Sequence, residues 1–236
     1  MIVSLIVLAF AAVMMAIEKM SPGRNWPMVA GWWWRVLLLN VMQAATIWIA
    51  GMAWKKWTND QRAWASDHWG TLGSALFGYL VITFVYYWWH RWRHEIPFLW
   101  RWFHQLHHSP QRIEIITSFY KHPFELIANC VISSLVLYWC GLDPEAATLV
   151  SIMGGLAELF YHWNVKTPYW LGFIFQRPDS HCVHHQADVH HYNFSDLPLW
   201  DMLFGTFHNP RRWNKECGFG KGEYRLLAML RGKVIA

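Results

Sequence analysis

The sequence predicts an all-α integral membrane bundle of four to five transmembrane helices with a cytoplasmic, histidine-rich helical cap. Three observations predict it. Of 236 residues, 55% are hydrophobic and only 15% charged, unlike an ordinary soluble domain. The apolar residues are gathered into uncharged runs about as long as a hydrocarbon core is thick. Many of the 14 histidines then crowd at or beyond the ends of those runs.

The elements follow in order. Met1 to Ile17 holds no charge; it lacks a basic start and is followed by Glu18 and Lys19, so it reads as a retained anchor, not a cleaved signal. Ser21-Pro22-Gly23 marks a turn, and Val36 to Ala53 crosses back. Lys55 to Gly70 is a polar connector, and Thr71 to Trp89 is the third crossing. The stretch from His94 to His122 is too polar to cross and should form short helices along the boundary, broken at Pro97, Pro110 and Pro123. Leu126 to Leu142 and Ala146 to Tyr161 form a weaker pair of crossings around Gly141-Leu142-Asp143-Pro144, residues suited to reversing the chain.

That hairpin carries no Lys or Arg between Lys121 and Lys166. By the positive-inside rule its tip faces away from the cytoplasm, while Arg91, Arg93, Arg101, Arg112, Lys121 and the tail through Lys233 face it. Every histidine cluster then falls on the cytoplasmic side. Residues 1–70 read as anchor, 71–208 as the working region and 209–236 as a basic tail, and a bacterial inner membrane suits the size.

A net charge of +5 invites a nucleic-acid reading. The basic residues flank apolar runs, however. Trp32, Trp33 and Trp34 beside Arg35, and Trp100 and Trp102 around Arg101, read as interfacial anchors, and no groove-reading motif accompanies them. Nucleic acid is excluded as a partner. Cys130, Cys140, Cys182 and Cys217 are scattered and imply no disulfide framework.

Nine histidines carry the chemistry. His90 and His94 are one helical turn apart, and His104, His107 and His108 recur at offsets of three and four. His162 ends the fifth run, and His181, His184 and His185 repeat the HxxHH pattern. A lone histidine such as His68 or His208 reads as a hydrogen-bonded interfacial residue. Several crowded at a membrane boundary each need a partner, and a metal satisfies many at once. Nine ligands are too many for one ion and suit two with four or five each. Imidazoles alone leave iron, copper, zinc and nickel open. Glu95, His122, Glu158, Asn164, His190, His191 and Asp201 are candidates to support the ligands by hydrogen bonds.

These motifs, HRWRH at His90 to His94, HQLHH at His104 to His108, His162-x-Asn164 and HCVHH at His181 to His185, resemble the fatty acid hydroxylase superfamily. That superfamily of membrane di-iron proteins includes sterol desaturases and alkylglycerol monooxygenase. Tyr192-Asn193-Phe194 and the run from Trp200 to Phe207 are similar to its closing signature, and the likeness covers about Gly70 to His208. It implies two iron ions (Fe2+/Fe3+), dioxygen as oxidant, a lipid C–H bond as target for hydroxylation or desaturation, and electrons from a separate protein. Glu158 stands where some members carry another histidine. Either it binds a metal, or one ion has a ligand fewer. The competing class is a non-catalytic membrane metal- or haem-binding protein; a haem uses only two axial histidines, and a transporter would place polar ligands near the bilayer midplane.

Overall fold

The computed structural model describes residues 2–58 and 62–235. Met1 of the first apolar run, residues 59–61 of the connector and Ala236 lie outside the described residues. The chain is all-α. In order come α1 (Ile2–Met20), α2 (Trp32–Thr58), α3 (Gly70–Glu95), α4 (Pro97–Leu99), α5 (Gln105–His108), α6 (Pro123–Trp139), α7 (Pro144–His162), α8 (Pro178–His184), α9 (Pro198–Phe204) and α10 (Leu226–Leu230).

Prolines set most of these boundaries. Ile96 is extended ahead of Pro97 and ends α3, as the residue before a proline tends to. Pro123 and Pro144 open α6 and α7 at the first helical position, where a missing N–H costs nothing. The Asp143 carboxylate caps α7 by accepting the N–H groups of Glu145 and Ala146 at 2.8 and 2.9 Å. Between α4 and α5, residues Trp100–His104 form a π-helical turn.

The long helices bring the histidines to one end. α3 packs on α7 and α6, and α2 packs on α6. At the far end Ser66 N–H and Ser66 Oγ both donate to the Gly141 carbonyl, at 3.1 and 2.9 Å, tying the approach to α3 to the α6–α7 turn. Gly141 has φ +69°, and a Cβ there would lie 2.7 Å from the Trp64 carbonyl oxygen. The turn therefore needs glycine. Since α3 and α7 both lead away from this turn and α6 ends in it, the end of α3, the start of α6 and the end of α7 meet at the opposite end. One stretch among the described residues, Asp67–Glu95, is long and apolar enough to cross a membrane; Pro123–Trp139 is apolar but shorter. Leu72, Leu76 and Leu80, one turn apart on α3, are exposed, as are Ile127, Val131 and Leu135 on α6.

Two anchor tryptophans are placed differently from expectation. Trp33 and Trp34 are exposed, but Trp32 is buried, its ring stacked on Tyr120 at 5.8 Å. Trp100 is buried against the rings of His94, His108 and His190. Trp32 belongs to a hydrophobic core and Trp100 to the wall around the histidines. The tail is packed as well: Leu226 and Met229 join Trp32, Val36, Leu39 and Leu106 in a core beneath the cap, and buried Arg35 pairs with buried Glu223.

Candidate metal centre

The nine histidines form two contiguous groups. His90, His94, His104, His108 and His184 offer nitrogens that all lie within 4.8 Å of one another, and so do His107, His162, His181 and His185. The HxxHH motifs divide reciprocally between them. His104 and His108, at i and i+4, join the five-histidine group while His107 joins the other; His181 and His185 join the four-histidine group while His184 crosses over. The groups adjoin where the His108 and His185 rings stack, with centroids 4.2 Å apart.

The tautomers follow from the hydrogen bonds. His90 Nδ1–H donates to the Phe194 carbonyl at 2.7 Å, His184 Nδ1–H to that of Tyr192 at 2.8 Å, and His162 Nδ1–H to that of Glu158 at 2.9 Å. His104 Nδ1 meets both members of a buried ion pair, lying 3.2 Å from Glu125 Oε1 and 3.0 Å from Arg93 Nη1. A neutral imidazole that donates from Nδ1 carries a lone pair on Nε2. Those lone pairs turn inward: Nε2 of His90 and of His184 is buried without a partner among the described residues, as is Nε2 of His104.

In the four-histidine group Nε2 atoms face one another, His162 to His107 at 3.3 Å, His181 to His162 at 3.1 Å and His185 to His181 at 3.0 Å. Metal–imidazole bonds of about 2.0–2.1 Å give ligand–ligand edges of roughly 2.9 to 3.4 Å, so these separations fit donors shared by one cation. Burial, then the neighbouring imidazoles, holds His107, His108, His181 and His185 well below the usual imidazole range. Burial likewise pushes His184 down to about 3, and burial with the Arg93 charge keeps His104 low. The rings are thus neutral donors at physiological pH, and a metal fits the cage.

The support is partly what the sequence suggested. Asp201 accepts from Phe194 N–H at 2.7 Å, Ser195 N–H at 3.0 Å and Thr206 Oγ1 at 2.7 Å. It fixes the loop whose Phe194 carbonyl orients His90. Phe204 stacks on Tyr87 at 5.0 Å, and Trp200 donates to Thr83 Oγ1 at 3.0 Å, which pins α9 to α3. Asn193 supports the same loop, donating to the Ser180 and His208 carbonyls at 2.8 Å each. The Glu158 carbonyl holds His162, while its carboxylate pairs with Lys121 and belongs to neither group. The groups therefore count five and four. His190 flanks the first, its ring 5.5 Å from His94 and its Nδ1 buried without a partner among the described residues.

The other candidates lie elsewhere. Glu95 makes an exposed ion pair with Arg91, one turn back. His122 caps α6, accepting from Phe124 N–H at 3.1 Å. Asn164 bonds the Arg24 backbone at 2.9 Å and fastens the α1–α2 connector, and His191 is exposed. Glu125, fully buried and holding both Arg93 and His104, went unnoticed because a single carboxylate in an apolar run carries no spacing signal.

A cavity of about 870 Å³ opens beside the histidines. His90, His104, His107, His181, Arg93, Lys121, Glu125 and Glu158 line one end; Ser133, Ser134, Gly154 and Gly155 continue it toward Leu137 and Val150. A second cavity, of about 640 Å³ under the α1–α2 connector, touches none of the nine histidines.

The family model "Fatty acid hydroxylase" matches residues 75–206, more than half of the chain. Ornithine lipid hydroxylase of Rhizobium tropici is 31% identical over 150 residues, 62% of this chain and 45% of that protein. Sphingolipid C4-hydroxylase of Schizosaccharomyces pombe is 29% identical over 140 residues, 57% and 48% of the two chains. Alkylglycerol monooxygenase of Danio rerio is 29% identical over 144 residues, 59% and 31%. The chain spans under half the length of each of these relatives. No solved structure matches it.

Proposed function

Since the chain belongs to the fatty acid hydroxylase family, we propose that it is a membrane-bound di-iron oxygenase that hydroxylates or desaturates a lipid C–H bond with dioxygen. One observation carries the reading: nine histidines in groups of five and four converge beside a cavity that runs between apolar helices. The relatives named for lipid hydroxylation support the substrate class.

His90, His94, His104, His108 and His184 are the proposed ligands of one iron, and His107, His162, His181 and His185 of the other. Bound there, iron supplies dioxygen activation, chemistry that protein side chains lack. The chain's own part is placement. Glu125 and the carbonyls of Phe194, Tyr192 and Glu158 fix ring orientation, as second partners of metal-binding imidazoles do. The cavity admits an alkyl chain and limits water. Residues 71–208 form the catalytic region, with 1–70 as anchor and 209–236 as a basic tail.

In this account α1, α2, α3, α6 and α7 cross the bilayer, the histidine end faces the cytoplasm, and a separate protein delivers electrons there. A bacterial inner membrane is the proposed location. The test compares the lipids of cells with and without the gene, then assays oxygen uptake by the purified, iron-loaded protein with that lipid and a reductant. A lipid gaining one oxygen or one double bond, with turnover lost in His107→Ala and His184→Ala, is the expected result. Unchanged lipids, or full activity and iron content in those variants, would overturn it.

A further inference from the structure

α6 and α7 are consecutive, yet they share little beyond their connecting turn: α6 packs on α2 and α3, and α7 on α3 and the cap. The space left between them belongs to the 870 Å³ cavity. Small residues keep it open. Ser133 and Ser134 line it from α6, Ser151, Gly154 and Gly155 from α7, and a Cβ added at Gly154 or Gly155 would meet nothing within 4 Å. From Glu125 to Leu137 the α6 wall runs twelve residues, roughly 18 Å of helix, a length suited to an alkyl chain.

The lining of this cavity holds two unmatched acceptors, one of them, Glu125, in contact with His104. Gln43, on α2 and 6% exposed, has a buried Oε1 without a partner among the described residues. Glu125, fully buried, gives Oε1 to Arg93 and His104 but leaves Oε2 without one. Both residues line the cavity. By contrast, the nearby Asn129 is satisfied: its side chain accepts from Trp89 at 2.8 Å and its carbonyl from Tyr86 at 2.9 Å. Buried acceptors left unpaired are costly, and a ligand with N–H or O–H groups would satisfy both.

We propose that the cavity binds its lipid by a polar group, an amide or hydroxyl that donates to Gln43 and Glu125, with the alkyl chain lying between α6 and α7. The assignment rests on the cavity being the substrate's. It places the polar group beside the histidines and selects a donor-bearing lipid over an ester or a free fatty acid of the same chain length.

The experiment uses the purified, full-length, iron-loaded protein in detergent and three radiolabelled probes of equal chain length: N-dodecanoylethanolamine, methyl dodecanoate and dodecanoate. The N-acyl probe is expected to bind about tenfold tighter than the ester, which corresponds to roughly 1.4 kcal/mol, and tighter than the acid. Gln43→Met should remove most of that gap while ester affinity, iron content and unfolding temperature stay unchanged. Gly154→Phe should weaken all three probes. Equal affinities, tightest binding of the acid, or a gap that survives in Gln43→Met would overturn the proposal. Repeating the titration without metal separates the two readings. A gap that persists in a protein taking up no iron keeps this assignment and sinks the oxygenase; iron-dependent lipid oxidation with equal affinities does the reverse.

Discussion

Glu125→Gln is the most informative single substitution, because one buried carboxylate has two separable duties. Glu125 is fully buried, and the Arg93 side chain it neutralises is only 5% exposed, so water screens little of the loss. Removing one partner of a buried ion pair costs about 3–5 kcal/mol, and at roughly 2–4 °C per kcal/mol for a chain of this size the metal-free protein should melt on the order of 10 °C lower. The second duty concerns His104, whose Nδ1 faces the same carboxylate oxygen at 3.2 Å. Losing such a partner weakens metal binding by about 10–100-fold, and the loss should fall on the five-histidine group alone. The double variant Arg93→Met/Glu125→Leu separates the two: it removes both charges and should recover most of the melting temperature, yet His104 still lacks its partner, so iron affinity stays low. Differential scanning fluorimetry of metal-free protein and iron titration of each variant read the two effects. If Glu125→Gln keeps wild-type iron affinity in both groups, Glu125 does not orient His104. If the double variant regains full iron affinity, the whole effect was stability.

Other consequences are expected. Asp201→Asn removes the charge that gathers Phe194 N–H, Ser195 N–H and Thr206 Oγ1; charge-assisted bonds of this kind are worth about 1.5–3 kcal/mol each, so lower iron affinity through His90 is expected, read by competition with a chelator. Because His107, His108, His181, His184 and His185 all titrate below their unfolded value of 6.5, the unfolded chain binds more protons as pH falls. Stability of the metal-free protein should therefore be full above about pH 7 and decline progressively below 6.5; a flat melting temperature between pH 7 and 5 would contradict the burial of neutral rings. Gly218→Ala places a Cβ 2.4 Å from the Pro110 carbonyl oxygen at φ +75° and should lower the melting temperature by several degrees, whereas Gly154→Ala, facing open space, should change it little.

Much of this architecture was legible in the chain because its determinants are periodic or compositional. The uncharged runs correspond to the long helices, and helical offsets marked the proposed ligands at His90/His94, His104/His108 and His181/His185. The division of each HxxHH motif was not legible. Offsets of three and four put all three rings near one face, but only tertiary approach decides which ring turns to which partner. Backbone carbonyls such as Phe194 and Tyr192 carry no sequence signal, which is why three of the groups that orient imidazoles were missed. Glu125 and Gln43 escaped for a related reason: a lone polar residue in an apolar run gains meaning only from its neighbours on other helices. Glu95 and Asn164 were drawn in by nearness in sequence, and their side chains serve the surface and the α1–α2 connector instead.

The most direct measurement is the iron-to-protein ratio of the wild type and of His94→Ala, His181→Ala and the double variant, with Mössbauer spectra of the ⁵⁷Fe-loaded proteins. Two irons per chain are expected in the wild type, one in each single variant with a different spectral component lost, and none in the double. A wild type that saturates at one iron, or single variants that lose the same component, would contradict two adjoining histidine cages.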